Sequence, residues 1–296
     1  MKPAPFDYRA PASLEEALLL LGLETTVLAG GQSLVPMLNL RLARPELVVD
    51  VNGIAELDYI RADDGSLRIG ALTRQLTLER SELVRRGWPL VGKAIALVGH
   101  PQIRTRGTVG GSVAHADPAA ELPVVFMVLD AKFRVASARG ERTIEPPDFF
   151  VTHLTTTIEP DEMLVEIEVP PLAPRTGHAF TEFARRHGDF ALGGAGALIT
   201  VDEQGVCQRA ALGLLAAAAT PIRASEAESM LVGERIDEAL GTKAGDRAAA
   251  GVQPTGDIHG SAEYRKRLIG VMARRAILAA AERAADGAAK GGARGD

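Results

Sequence analysis

Short apolar runs and longer amphipathic stretches alternate along the first half of the chain. The apolar runs predict strands at 27–29, 47–51 and 67–70. The longer stretches predict helices at 13–22, 33–40, 73–84, 88–98 and 119–129. The first helix has a start signal, because Ser13 and Glu16 have the spacing of a capping box. This succession of strands and helices favours a sheet with crossover helices.

Strand patterns dominate the middle of the chain. Segments 131–138 and 142–144 predict a hairpin across Arg139-Gly140, and 163–169 alternates as a half-buried strand does. Three prolines and a glycine in "PPLAPRTG" (170–177) then mark a domain boundary.

The C-terminal part predicts an antiparallel sheet covered by helices. Strand-like runs occur at 178–186, 194–201 and 208–215, and helices are expected at 223–231 and 261–285. In the last helix, one buried stripe is predicted from four residues spaced by four: Tyr264, Leu268, Met272 and Ala276. The Gly/Ala-rich segment 286–296 is predicted to be a flexible tail.

Composition narrows the class of protein. The 296 residues are 46% hydrophobic and carry a formal charge of −5, which argues against a nucleic-acid partner. Cys207 is the only cysteine, so the chain holds no internal disulfide and no iron–sulfur cluster of its own; we expect it in the core. "ALLLLGL" (17–23) is too short to span a bilayer and the first residues lack a signal peptide's apolar region, so a cytoplasmic location is expected.

Two glycine pairs carry the candidate chemistry. "VLAGGQSLVP" (27–36) and "GTVGGSV" (107–113) each place Gly-Gly beside hydroxyl residues and before a predicted helix. Backbone amides in such turns can bind phosphate, and two turns could grip both phosphates of a dinucleotide. Either turn could equally be structural. The chain has no P-loop motif and no Gly-x-Gly-x-x-Gly after its first strand, so neither of those nucleotide sites is expected.

Motifs along nearly the whole chain resemble one family. "AGGQSL" (29–34) and "IRTRGTVGGSVAHADPAAELP" (103–123) are similar to the flavin subunit of the molybdenum hydroxylases, such as carbon monoxide dehydrogenase and xanthine dehydrogenase. The similarity continues through "RRHGDFALGGAGA" (185–197), "TPIRASEAE" (220–228) and "GSAEYRKRLIGVMARRA" (260–276).

The resemblance implies an α+β fold of vanillyl-alcohol-oxidase (PCMH) type. Two α/β subdomains, at about 1–56 and 57–172, would form an FAD-binding domain. A C-terminal flavoprotein domain at 176–285 would pack an antiparallel sheet against helices.

The resemblance also implies which residues contact FAD. The first pyrophosphate-binding turn would be Ala29, Gly30, Gly31, Gln32, Ser33 and Leu34; the second would be Thr108, Gly110, Gly111 and Ser112. Further contacts would come from Asp117, Glu121, Leu164 and Phe190. No catalytic residue and no metal ligand is expected in this chain.

Several positions leave alternatives open. Relatives often have lysine at the position of Glu182, and some have histidine at that of Gln32. His115 would either touch FAD or be structural, and Asp117 would either contact the cofactor or cap the helix after Pro118. Arg104 and Arg106 would either neutralise the pyrophosphate or pair with a carboxylate or another subunit.

The function implied by the resemblance is electron transfer. Electrons would pass from two [2Fe–2S] clusters on a small subunit, through FAD, to an external acceptor. A large subunit with the molybdopterin cofactor would hydroxylate the substrate. The assembly would be a dimer of heterotrimers, a heterohexamer, with membrane association through the complex left open. A stand-alone flavin oxidoreductase and a non-catalytic nucleotide-binding scaffold are the alternatives.

Overall fold

The computed structural model describes residues 2–292, with side chains to residue 286. The strands are β1 (Asp7–Arg9), β2 (Thr25–Leu28), β3 (Leu47–Asp50), β4 (Ile60–Asp63), β5 (Ser66–Gly70), β6 (Lys132–Ser137), β7 (Gly140–Ile144), β8 (Phe150–Thr152), β9 (Thr155–Thr156), β10 (Met163–Val169), β11 (Thr176–Phe183), β12 (Gly193–Val201), β13 (Cys207–Leu215) and β14 (Ile222–Arg223). The α-helices are α1 (Leu14–Leu18), α2 (Leu34–Asn39), α3 (Gln75–Arg80), α4 (Glu82–Gly87), α5 (Pro89–Ile95), α6 (Pro101–Arg106), α7 (Val109–His115), α8 (Glu121–Val128), α9 (Pro146–Phe149), α10 (Ser225–Leu231), α11 (Glu238–Ala250) and α12 (Ala262–Gly292).

These elements form two compact units, each assembled from separate stretches of sequence. The first unit takes the chain up to Leu83 and adds His100–Ala116 and Ala131–Pro170. The second unit takes Val84–Gly99, Asp117–Asp130 and the chain from Pro171 onward. The units therefore interleave along the chain, whereas the sequence boundary at 170–177 is a single cut.

The first unit opens with the parallel sheet that its strand–helix succession predicts. The strand order is β1–β3–β2, and both pairings are parallel. Helix α1 is shorter than predicted but begins where expected, because the Ser13 side chain accepts a hydrogen bond from the Glu16 backbone N–H at 3.2 Å. A core cluster that includes Ala17, Val49 and Val51 packs beneath this sheet.

The first unit also contains an antiparallel sheet of order β4–β5–β10–β6–β7. Strand β10 has the predicted bounds, but the prediction of a half-buried strand was wrong, because both of its faces are largely covered. Glu166 on this strand is only 2% exposed and lies close to three arginines. A buried carboxylate that has cationic neighbours gives the same alternating sequence pattern as an exposed one.

The second unit is a four-stranded antiparallel sheet, β11–β12–β13–β14, packed against helices, as predicted. Cys207 is fully buried on β13, which confirms its expected place in the core. The predicted stripe on α12 was partly wrong, because Tyr264 is 38% exposed while Met272 and Ala276 are buried. A spacing of four residues turns by roughly 40° per step relative to the helix face, so Tyr264 rotates away from the core.

Helix α12 extends beyond its predicted end at 285 and continues to Gly292. The predicted flexible tail at 286–296 thus begins on helical residues, and 293–296 lie outside the described residues. None of the helices in the described part of the chain combines the length and the apolar character that crossing a bilayer requires.

Candidate functional site at two glycine turns

The first glycine turn connects the carboxyl end of β2 to α2. Gly31 has φ +73°, a left-handed conformation that glycine adopts without strain. Within residues 2–292 the backbone N–H groups of Gly30–Ser33 donate to no protein atom. These four residues are half-buried, so a ligand could reach them. The Gln32 side chain folds back and donates to the Gly30 carbonyl at 3.0 Å. This turn therefore presents four consecutive amides that an anion could accept from.

The second glycine turn is the start of α7. Thr108 caps this helix, because its Oγ1 accepts from the Gly111 N–H at 3.1 Å. The Gly110 N–H donates to the Ala71 carbonyl at 2.9 Å. The prediction of a second nest of free amides was therefore wrong for Gly110 and Gly111, whose N–H groups already have protein acceptors. The Ser112 hydroxyl remains without a hydrogen bond to the described protein atoms, as does that of Ser33.

The two turns are in direct contact, which the sequence did not predict. A Cβ placed on Gly30 would stand 2.5 Å from the Arg106 carbonyl oxygen and 3.0 Å from the Thr108 nitrogen. A Cβ placed on Gly111 would lie 3.8 Å from the Ala29 side chain. Glycine at position 30 thus permits a backbone approach that no other residue allows.

Two residues that the sequence analysis did not single out join these turns. Asn52 donates from Nδ2 to the carbonyl of Ala29, the first residue of the first turn, at 2.8 Å. Arg74 donates from Nη1 to the carbonyl of Arg106, which directly precedes the second turn, at 2.6 Å. It also donates from Nη2 to Asn52 Oδ1 at 2.6 Å. The carboxyl ends of adjacent parallel strands meet at one sheet edge, so polar Asn52, just beyond β3, could have been placed beside the end of β2.

Three charged residues near the turns, Arg104, Asp50 and Arg74, interact with neighbouring protein groups. Arg104 is buried and pairs with Glu79, with 2.8 Å between Nε and Oε2, which confirms the carboxylate-pairing alternative. Burial would raise the pKa of Asp50, but hydrogen bonds from the Tyr8 hydroxyl and from Asn52 outweigh that effect and hold the pKa below its usual value. Burial, and then the charge of Arg106, lower the pKa of Arg74.

The remaining predicted contact residues are distributed over both units. Leu164 lies on β10 in the first unit and is buried. Asp117, Glu121 and Phe190 belong to the second unit, where Glu121 is buried in the first turn of α8 and Phe190 is 67% exposed. The capping alternative for Asp117 was wrong, because its carboxylate accepts from Ala119 N–H in a turn while α8 begins at Glu121.

Glu182, at the position where a lysine was expected, has an unusual environment in the second unit. Its Oε2 atom is buried and makes no hydrogen bond to a described protein atom. Burial raises the pKa of this carboxyl to about 7. A small cavity beside it is lined by Leu97, Ala184, Arg186, His187 and Gly188.

The donor set fits a phosphate-containing ligand. Unused amides at Gly30–Ser33 and the Ser33 and Ser112 hydroxyls are hydrogen-bond donors, and Gly30 and Gly110 lack the side chains that would clash with neighbouring backbone. These groups bind and orient an anion; they include no side chain positioned as an acid or base.

Two family models match the chain. Residues 4–172 match the family described as "FAD binding domain in molybdopterin dehydrogenase". Residues 178–280 match the "CO dehydrogenase flavoprotein C-terminal domain".

Individual relatives match almost from end to end. The chain is 46% identical to the 6-hydroxypseudooxynicotine dehydrogenase complex subunit alpha of Paenarthrobacter nicotinovorans, covering 96% of this chain and 97% of that one. It is 38% identical to the carbon monoxide dehydrogenase medium chain of Afipia carboxidovorans, with 96% and 99% covered. Among solved structures, carbon monoxide dehydrogenase of Hydrogenophaga pseudoflava superposes with a TM-score of 0.93 at 37% identity, over 96% of this chain and 99% of that one. The chain therefore belongs to the FAD-binding medium subunits of the molybdenum hydroxylases, a family of oxidoreductases.

Proposed function

We propose that this subunit binds FAD across the two glycine turns and transfers electrons from the iron–sulfur clusters of a partner subunit to an external acceptor. The observation that carries the proposal is the contact between the turns, together with the four unused amides at Gly30–Ser33. Similarity to medium chains of multi-subunit dehydrogenases supports the electron-transfer role.

In this proposal the first turn is the main diphosphate-binding element. Its amides at Gly30, Gly31, Gln32 and Ser33 donate to phosphate oxygens, and Ala29 and Leu34 flank them. In the second turn, Gly110 and Gly111 have no side chains, and Thr108 and Ser112 provide hydroxyl groups. Asp117, Glu121, Leu164 and Phe190 are proposed as contacts to other parts of FAD.

When bound, FAD would supply the redox chemistry, because a flavin can take up electrons one at a time from iron–sulfur clusters and pass them on singly or as a pair. This chain supplies binding, orientation and electrostatics. Because relatives of this chain are the medium chains of carbon monoxide dehydrogenases, we assign substrate choice to the partner that carries the molybdopterin cofactor.

The finer assembly is also proposed. We infer one large molybdopterin subunit and one small [2Fe–2S] subunit per copy of this chain, paired as a dimer of heterotrimers. Domain limits of 1–172 and 176–285 and a cytoplasmic location stay proposals.

Expression of the chain with and without its partners tests the proposal. The purified chain should be yellow and should bind one FAD per polypeptide after apo-protein is titrated with FAD. In the complex, substrate added under anaerobic conditions should bleach the flavin absorbance. A colourless chain that takes up no FAD, alone or in the complex, would contradict the proposal. FAD uptake without partner-dependent bleaching would favour a stand-alone oxidoreductase or a scaffold instead.

A further inference from the structure

A continuous line of side-chain hydrogen bonds links the backbones of the two turns. It runs from the Ala29 carbonyl to Asn52, from Asn52 to Arg74, and from Arg74 to the Arg106 carbonyl. All of these residues lie in the first unit. The Ala29 carbonyl lies directly before Gly30-Gly31, and the Arg106 carbonyl lies directly before Gly107-Thr108, so the line joins the backbone at the start of both turns.

The Asn52 amide is fully committed to this line. Its Nδ2 donates to the Ala29 carbonyl and to Asp50 Oδ1, at 2.8 and 2.6 Å, while its Oδ1 accepts from Arg74. Its backbone N–H also donates to Asp50 Oδ1, at 2.9 Å. These partners define which end of the amide is oxygen, and rotation of the side chain would break several bonds together.

Asp50 holds Asn52 in place from outside the line, and Arg74 provides the positive charge within it. The second Asp50 oxygen accepts from the Tyr8 hydroxyl at 2.7 Å, so the carboxylate is held from both sides. Arg74 bonds two acceptors with its two Nη atoms, a task for the planar guanidinium fork that the single ammonium of lysine cannot reproduce.

We propose that Asn52 and Arg74 are positioning residues that hold the two turns at the separation FAD requires. This inference rests on the proposed function, because it assumes that the turns bind FAD. The first turn has no other side chain bridging it to the second within the described residues. Preorganised backbone groups bind a ligand more tightly because less order is lost on binding.

Titration of the full-length apo chain with FAD, followed by flavin fluorescence, tests the inference. Asn52→Ala and Arg74→Ala should each weaken FAD binding by about 10- to 100-fold. The double variant should lose no more than the weaker-binding single variant, since either change breaks the same line. Arg74→Lys should recover part of the lost affinity. Matched controls are Arg80→Ala, on the exposed end of α3, and Asn39→Ala, on the exposed end of α2; both should bind as the wild type does.

Thermal unfolding of each apo variant separates positioning from folding. The inference requires that the affinity falls while the apo protein still unfolds cooperatively. Wild-type affinity in folded Asn52→Ala, Arg74→Ala and Arg74→Lys would overturn it, as would independent, additive losses in the double variant. If all three variants fail to fold, the pair serves stability alone and the inference is also overturned. Failure of the wild type to bind FAD would instead overturn the proposed function.

Discussion

Gly30 packs against Thr108 so closely that a Cβ on Gly30 would stand 3.0 Å from the Thr108 backbone nitrogen. The Arg106 carbonyl oxygen would be closer still, at 2.5 Å. Both neighbours are backbone atoms, which cannot move aside as the end of a flexible side chain can. The close approach of the two turns thus depends on glycine at this position.

Replacing Gly30 with alanine should therefore separate the turns. We expect Gly30→Ala to bind FAD at least about tenfold more weakly, because the backbone of one turn must shift to relieve the clash. Gly22→Ala is the control, since its Cβ meets no atom within 4 Å. Equilibrium titration with FAD measures both variants; equal affinities would contradict the expected dependence on this contact.

Thr108 should stabilise the fold through its cap on α7. Thr108→Val keeps the shape of the side chain but removes the oxygen that accepts from Gly111, so we expect a loss of about 1 kcal/mol in the free energy of unfolding. Urea denaturation measures this loss, and Thr108→Ser, which retains the oxygen, should stay close to the wild type. A valine variant as stable as the serine variant would show that the cap is unimportant.

The sequence predicts two candidate phosphate-binding turns, but it predicts neither their direct contact nor the complete line of side chains that joins them. Gly-Gly pairs beside hydroxyl residues indicate candidate phosphate-binding turns, and either pair could equally have been structural. The line through Asn52 and Arg74 depends on how three separate segments meet in space, and neither residue belongs to a recognisable motif. The sequence also could not show that the Gly110 N–H is already used within the protein, because its acceptor is the carbonyl of Ala71 in a distant segment.

Glu182 should make stability depend on pH. Burial raises the pKa of this carboxyl from 4.5 to about 7, so the folded state holds a proton that the unfolded chain releases at lower pH. The free energy of unfolding should accordingly fall as the pH rises from about 4.5 to 7, and the penalty is complete above 7. Glu182→Gln removes this ionisation and should stabilise the protein at pH 8 by on the order of 1–3 kcal/mol, with the gain vanishing near pH 4.5.

Denaturation of Glu182→Gln and wild type across this pH range measures the effect. The Arg186 and His187 side chains line the same cavity and could also titrate or change the charge there. The measurement is therefore repeated with each of them changed to glutamine, to show that the pH dependence comes from Glu182. Glu203→Gln is the control, because that side chain is 72% exposed and should show no comparable gain. A difference between Glu182→Gln and wild type that does not change with pH would contradict a raised pKa.

Glu166 should be needed for the stability of the first unit. Its carboxylate accepts from the Tyr59 hydroxyl at 2.5 Å and lies within 4 Å of Arg61, Arg68 and Arg134. Glu166→Gln removes the charge from this cluster, and we expect a loss of about 2 kcal/mol in the free energy of unfolding. Guanidinium denaturation measures this loss. Glu168→Gln, two residues along the same strand and 33% exposed, should cost less than about 1 kcal/mol in the same experiment. Equal losses would contradict the special role of the buried position.

Cys207 should report the opening of the second unit. The thiol is fully buried, and burial raises its pKa to about 11, so the reactive thiolate is scarce in the folded protein. We expect negligible reaction with a disulfide reagent at pH 8 in native buffer, and reaction of one thiol per chain in denaturant. Rapid reaction of the native protein would show that β13 is accessible.

The larger elements follow from local patterns, and the missed ones lack such patterns. The bounds of strand β10 follow from the alternation of apolar residues with Glu166 and Glu168, which ends at Pro170. Helix α11 was missed because its buried face consists of small residues such as Gly245 and Ala248, which have no apolar periodicity. These small residues permit a close helix contact, since a Cβ on Gly245 would stand 2.7 Å from the Gly270 carbonyl oxygen. Such packing is a tertiary property that a single segment does not reveal.

Hydrogen–deuterium exchange of the full chain, with and without FAD, tests the central claim most directly. The amides of Gly30–Ser33 have no protein acceptor and should exchange rapidly in the apo protein. Saturating FAD should slow their exchange strongly, while Gly110 and Gly111, whose amides already donate to protein atoms, should change much less. Stoichiometric FAD binding that leaves exchange at Gly30–Ser33 as fast as in the apo protein would contradict a diphosphate site at these turns.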